Sequence, residues 1–170
     1  PHAPRNTQIM IIAKAPGAEE EIKGIPFVGS SGQELTKMLH EAGIVRSECF
    51  LTNVCKYRPP GNEIETFFLD AKCQQPNELI KEGLAELMQD IAEIKPKLIF
   101  AMGNTPLWAL RNHRLITKWR GSMLAYGDSM LMPTIHPAAI SREWAYRAIT
   151  VHDLTRGRKC LANGGWPVPE

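Results

Sequence analysis

The run Leu98-Ile99-Phe100-Ala101-Met102 offers no polar side chain to either face of a strand. Strand side chains alternate between two faces, so a run that is apolar throughout needs cover on both. That is the setting of a buried strand in a parallel sheet. The flanking sequence supplies the cover. From Asn77 to Ile94, the residues Leu79, Ile80, Leu84, Leu87, Met88, Ile91 and Ile94 fall on one broad helical face, and Pro96 follows its end. Gly103-Asn104-Thr105-Pro106 then opens another helix, with Thr105 as cap and Pro106 at the first position.

The same alternation runs along the chain. A strand is predicted over Gln8–Lys14, then a helix opened by Ser30-Ser31-Gly32 with Leu35, Met38, Leu39 and Ile44 at helical spacing. Ser31 with Glu34 reads as a capping box, and Gly43 suits the helix end. A short strand is predicted at Cys49–Val54, an irregular proline-rich loop at Lys56–Asn62, and helix over Ile64–Gln75. Gly127-Asp128 reads as a hairpin turn between strands at Ser122–Tyr126 and Met130–Thr134. A last helix is expected from about Arg142 to Leu161, then an irregular tail over 163–169. Strands alternating with helices imply an α/β fold, with a mostly parallel sheet covered on both faces.

A chain of 170 residues fits one domain, spanning 1–170. No run is long enough for a membrane helix, and no signal-peptide pattern appears. The four cysteines include no Cys-x-x-Cys pair, which argues against a disulfide framework and for a reducing cytosol. A formal net charge of +2 neither demands nor excludes nucleic acid. Arg142, Arg147, Arg156, Arg158 and Lys159 form either a basic stripe or the solvated face of a helix.

Two separated segments leave strands at the end where open α/β sheets bind ligands. One runs Ala13-Lys14-Ala15-Pro16-Gly17, then the carboxylates Glu19, Glu20 and Glu21, then Gly24-Ile25-Pro26-Phe27-Val28-Gly29. The other runs His136-Pro137-Ala138-Ala139-Ile140-Ser141-Arg142. An aromatic ring, carboxylates, a histidine and an arginine suit a flat, polar-edged ligand joined to phosphate, such as a nucleobase. Phe27 in its rigid Pro/Gly setting would make a stacking platform, although an isolated phenylalanine is more often core. The Asn53 amide has the donor and acceptor that match the uracil O4/N3–H edge, or it caps a turn. His136 would donate to charge developing on a leaving-group oxygen, or is structural. Ile140 is a wedge or a core contact, and Arg142 a phosphate ligand or a surface ion pair.

Together and in order, four segments resemble the uracil-DNA glycosylase superfamily, most closely its family 4-like branch. They are Ala15-Pro16-Gly17 with Gly24-x-Pro26-Phe27-Val28-Gly29; Thr52-Asn53-Val54 with Lys56 and Arg58-Pro59-Pro60-Gly61-Asn62; Leu98–Gly103; and His136–Ile140. The resemblance implies a three-layer α/β/α sandwich around a mostly parallel four-stranded sheet. It implies that Phe27 stacks on the base, Asn53 reads its Watson–Crick edge, and Glu20 guards the pyrimidine C5. His136 would bind O2, Ile140 would intercalate, and Ser141, Arg142 and Arg58 would meet DNA. Ala15, Pro16 and Gly17 would line the base pocket.

Two departures stand out. Family 4 enzymes hold a [4Fe-4S] cluster through four cysteines. Here no cysteine precedes Cys49, Tyr57 stands where the family has a cysteine just before Arg-Pro-Pro, and only Cys73 could match the fourth. A cubane needs four thiolates, so no cluster, no other cofactor and no metal are expected. The family's Gly-Glu-Ala-Pro-Gly is here Ala13-Lys14-Ala15-Pro16-Gly17. An ordinary lysine is protonated at neutral pH, and it cannot orient water as a carboxylate does. The expectation is a monomeric DNA glycosylase for uracil or a related deaminated base, with Lys14, Asn53 and His136 in the catalytic set. It would work on DNA in the cytoplasm or at the nucleoid of a bacterial or phage-infected cell. Two alternatives remain: a relative acting on a modified thymine in base hypermodification, and a non-catalytic module that binds uracil or single-stranded DNA. Lys14 favours these alternatives; Phe27, Asn53 and His136 favour excision.

Overall fold

A computed structural model describes residues 7–164. Strands β1 (Ile9–Ala13), β2 (Cys49–Asn53), β3 (Leu98–Met102), β4 (Leu124–Tyr126) and β5 (Ser129–Thr134) form one sheet in the order β2-β1-β3-β5-β4. All neighbours are parallel except β4 and β5, which form the hairpin expected at Gly127-Asp128. The sheet therefore has five strands, not four. The fifth is the antiparallel edge strand β4, which the hairpin turn adds without a crossover.

Successive side chains of the central strands enter opposite cores, as a doubly covered sheet requires. Leu98, Phe100 and Met102 join Ile11 and Ala13 beneath α2 (Ser30–Glu41) and α7 (Tyr146–Ala162). Ile99 and Ala101 join Met10, Ile12 and Phe50 beneath α3 (Glu78–Ile94) and α4 (Asn104–Arg111). The result is the expected three-layer α/β/α sandwich. Asn77 caps α3 by accepting from the Ile80 N–H at 3.2 Å.

Other local expectations gave way to longer-range contacts. The segment Ile64–Gln75 is not a helix beyond a short 3₁₀ turn at Ile64–Phe67. The Asp70 carboxylate accepts from the Gln74 and Gln75 N–H groups, which offers the backbone an alternative to helix. Helix α2 is capped by Gly29 rather than Ser31, and Glu34 pairs with Arg147 of α7 instead of closing a capping box. Gly103, not Thr105, caps α4. The last helix starts at Tyr146, because a separate short helix, α6 (Pro137–Ile140), ends in turns that hold Arg142. Two further short helices are α1 (Ala18–Lys23), which carries the carboxylates Glu19, Glu20 and Glu21, and α5 (Ile116–Trp119). Of the tail, residues 165–169 lie outside the described residues.

Candidate active site

The parallel register brings the chemistry to one edge of the sheet. Ala13 pairs with Asn53, so β1 and β2 end side by side, and His136 follows two residues after β5. The strand order runs one way from β1 to β2 and the other way from β1 to β3, which opens a crevice beyond the strand ends. A cavity of about 180 Å³ fills that place. Lys14, Ala15, Pro16, Gly17, Glu20, Phe27, Asn53 and His136, eight of the residues singled out from sequence, all line it. Cavities of roughly 150 Å³ accept a benzene ring, so this one has room for a single base.

His136 is the N-cap of α6, and its Nδ1 accepts from the Ala138 N–H at 3.0 Å. In the neutral ring the proton therefore belongs on Nε2. Burial pushes the imidazole down to about 4, and the nearby Lys14 charge adds to this against the opposing pull of Glu20. His136 is thus neutral at pH 7 and has one N–H to donate. Its ring lies 6.3 Å from that of Phe27, with 25° between the planes.

Phe27 is 7% exposed and has φ of 55°, the left-handed region that side chains disfavour. Gly32 makes this loop possible: a Cβ there would lie 2.0 Å from the Phe27 carbonyl oxygen. Arg46 fastens the loop, donating to the carbonyl oxygens of Phe27 at 2.7 Å and Pro26 at 3.2 Å. No sequence signal marked Arg46, since its partners are backbone atoms that only the fold assembles. Pro59 and Asn62, from a stretch noted only as a motif, also line the cavity.

Asn53 is buried at the end of β2, and its side-chain amide has no hydrogen-bond partner among the described residues. Its backbone carbonyl accepts from Lys56 Nζ at 2.8 Å, which fixes the strand end and leaves the amide for a ligand. Glu20 lines the cavity with its carboxylate already engaged. It accepts from the N–H groups of Gly29 (2.6 Å), Val28 (2.9 Å) and Gly17 (3.2 Å). Burial pushes its carboxyl up, but these hydrogen bonds prevail and hold it below the usual range. Lys14 donates to the Asn62 carbonyl oxygen at 2.9 Å, and Arg58 Nε donates to Asn62 Oδ1 at 2.9 Å.

The expected DNA-facing residues divide. Arg142 is exposed, and Ser141 is exposed with its hydroxyl donating to the Ala138 carbonyl oxygen at 2.9 Å. Ile140 does not protrude. It is 3% exposed, because α6 turns it into the core beneath α2. In the protein without DNA it packs in the core, the second of the two readings, rather than standing out as a wedge.

A model of the uracil DNA glycosylase superfamily matches residues 1–155 of this chain. The chain belongs to that superfamily. It is 32% identical over 165 residues to a type-4 uracil-DNA glycosylase of Thermotoga maritima, covering 94% of this chain and 81% of the relative. It is 36% identical over 156 residues to one of Pyrobaculum aerophilum (86% and 74%), and 33% over 169 residues to one of Saccharolobus solfataricus (92% and 72%).

The chain's own thiols do not fit a four-cysteine cluster. Cys49 and Cys160 belong to the core on one face of the sheet, Cys55 and Cys73 to the core on the other. Burial pushes the Cys49 thiol up to about 12 and raises that of Cys55, whose Sγ donates to the Tyr57 carbonyl oxygen. Such thiols are structural rather than metal-binding. Among the described residues, no group of three or more His, Cys, Asp or Glu is placed to hold a metal ion. Nor is any helix among them long and apolar enough to cross a membrane.

Proposed function

We propose that this protein excises uracil from DNA by hydrolysing the N-glycosidic bond of an extruded nucleotide. One observation carries the reading: the neutral His136 Nε2–H and the unpartnered Asn53 amide line one base-sized cavity with the Phe27 ring. Flipping the nucleotide costs a few kcal/mol, least at mismatches or in single strands. Phe27 stacks on the base, and Asn53 pairs with its O4 and N3–H. As the C1′–N1 bond breaks, its electron pair moves into the base, and the His136 N–H stabilises the charge building on O2. Water then adds at C1′ and its released proton goes to the departing uracil anion, giving an abasic site and free uracil. Lys14 supplies no carboxylate to activate that water, so stabilisation of the leaving base is the main catalytic device.

The same reading has the protein work as a monomeric single domain without an iron–sulfur cluster. The thiols divided between the two cores and Tyr57 before Arg-Pro-Pro support this. A broad absorbance band near about 400 nm with stoichiometric iron in anaerobically purified protein would overturn it. The four unpaired cysteines suit a reducing compartment, the cytoplasm or nucleoid of a bacterial or phage-infected cell.

A second reading, a base substituted at C5, has its own observation. A neighbouring cavity of about 350 Å³ shares Pro16, Glu20 and Asn53 with the first and adds Lys56 and Arg58. One assay separates the readings. Oligonucleotides with uracil, hypoxanthine or 5-hydroxymethyluracil are incubated with the protein, and abasic sites are cleaved with hot alkali. Cleavage of the uracil strand is expected. Cleavage confined to 5-hydroxymethyluracil would favour the second reading, and binding without any cleavage would reduce the protein to a binding module.

A further inference from the structure

The base cavity does not end at His136. Its lining residues Ser31 and Ala138 also line a groove of about 240 Å³, with Ser30, Glu34, Pro137, Ile140, Ser141 and Trp144. Trp144 stands at this groove in the turns between α6 and α7, 68% exposed. A single exposed ring is ordinary on a protein surface. A ring beside a groove continuous with a base-sized cavity is a different matter.

The surroundings of Trp144 are fixed and suit a nucleic-acid strand. The Arg147 guanidinium lies 5.7 Å from the ring centroid, a cation–π distance. Arg147 is itself held by Glu34 at 2.5 Å and Glu41 at 2.6 Å. Its single positive charge offsets one of those two carboxylates and weakens their repulsion of phosphate. Backbone bonds from Arg142 and Glu143 to Ala139, and from Arg147 to Trp144, shape the turns. Arg142, two residues before the ring, is exposed and has no ion-pair partner among the described residues. Ile140, which also lines the groove, is itself buried in the core.

We infer that Trp144 stacks on the nucleobase flanking the extruded nucleotide and so holds the strand open at the cavity mouth. This rests on the uracil-excision reading. Aromatic stacking accepts any base, so the contact supplies affinity without dictating sequence context.

The test uses single-stranded oligonucleotides with uracil and 2-aminopurine as its neighbour, with wild type, W144A, W144F and I140A. Wild type is expected to quench the 2-aminopurine fluorescence on binding. W144A should lose the quench and raise both Kd and KM about tenfold, the scale of one base–aromatic stack. W144F should retain most of both, since a phenyl ring still stacks; thermal melting checks that each variant folds. Uracil release by wild type, with Kd and quench unchanged in W144A, would overturn the role of Trp144 alone. Loss of the quench in I140A but not in W144A would do the same and restore Ile140 as the wedge. Loss of binding in W144A where wild type releases no uracil would support the stack and overturn excision. A wild type that neither binds these strands nor releases uracil would overturn both.

Discussion

The Arg46 guanidinium donates to the Phe27 carbonyl oxygen at 2.7 Å, tying the ring that faces the base to the start of α2. Its other arm reaches the Gly32 carbonyl oxygen at 3.1 Å and Thr36 Oγ1 at 2.7 Å. Phe27 in left-handed backbone costs roughly 1–2 kcal/mol, which these bonds offset. Arg46→Ala should therefore loosen the platform, weakening inhibition by free uracil about tenfold and costing about 1–3 kcal/mol of stability. Arg46→Lys should rescue little, since an ammonium cannot span both carbonyls and Thr36 as the fork does. Inhibition constants and melting curves check this; unchanged uracil affinity in Arg46→Ala would show that the loop holds itself.

His136 sets the pH dependence. Its pKa of about 4 lies below the ordinary value of 6.5, so the unfolded chain binds more protons between those limits. The stability this group contributes is full above about 6.5 and falls as pH drops toward 4. Activity should follow the neutral ring, so no inflection from His136 is expected near 6.5, and the acid limb of kcat/KM should fall near pH 4. His136→Gln should cost about 10²–10³ in rate, as should Asn53→Ala. An acid limb near 6.5 that vanishes in His136→Gln would contradict the buried, neutral ring.

Much of this was legible in the sequence, for identifiable reasons. Leu98–Met102 could only be a doubly covered strand, and Gly127-Asp128 could only turn tightly. Asn53 and His136 could be placed at one edge because Asn53 ends one apolar strand and His136 closely follows another. What escaped depends on partners far away in sequence. Glu34 answers to Arg147, 113 residues away, rather than to Ser31. The role of Arg46 needs carbonyls that only the folded Phe27 loop presents. Ile140 is buried where a wedge was expected, and Trp144, which no sequence signal marked, is exposed, because α6 ends at Ile140 and the chain turns before α7 begins.

Lys14 should act on the reaction through His136. Its Nζ is turned onto the Asn62 carbonyl oxygen, and its charge helps depress the imidazole. Lys14→Gln should move the His136 titration, and the acid limb with it, upward toward 6.5. Lys14→Glu should move it further and raise uracil excision, because it recreates the carboxylate of the family's first motif. Borohydride trapping on uracil DNA should give no adduct, since an amine occupied in donating to Asn62 is not poised as a nucleophile. A trapped species lost in Lys14→Ala would overturn hydrolysis by water alone.

Arg142 and Arg147 lie five positions apart but should behave differently on DNA. Arg147 is spent on Glu34 and Glu41, whereas Arg142 is exposed and has no ion pair among the described residues. Only an arginine that neutralises a phosphate releases counterions, and each such contact adds about 0.7–0.9 to the slope of log affinity against log salt. Arg142→Ala should lower that slope by about one unit and weaken binding equally across sequences. Arg147→Ala should leave the slope alone but lower the melting temperature, because it frees two carboxylates and releases α7 from α2. Titrations at several salt concentrations, with melting curves on the same samples, separate the two. An unchanged slope in Arg142→Ala would place this residue off the DNA track.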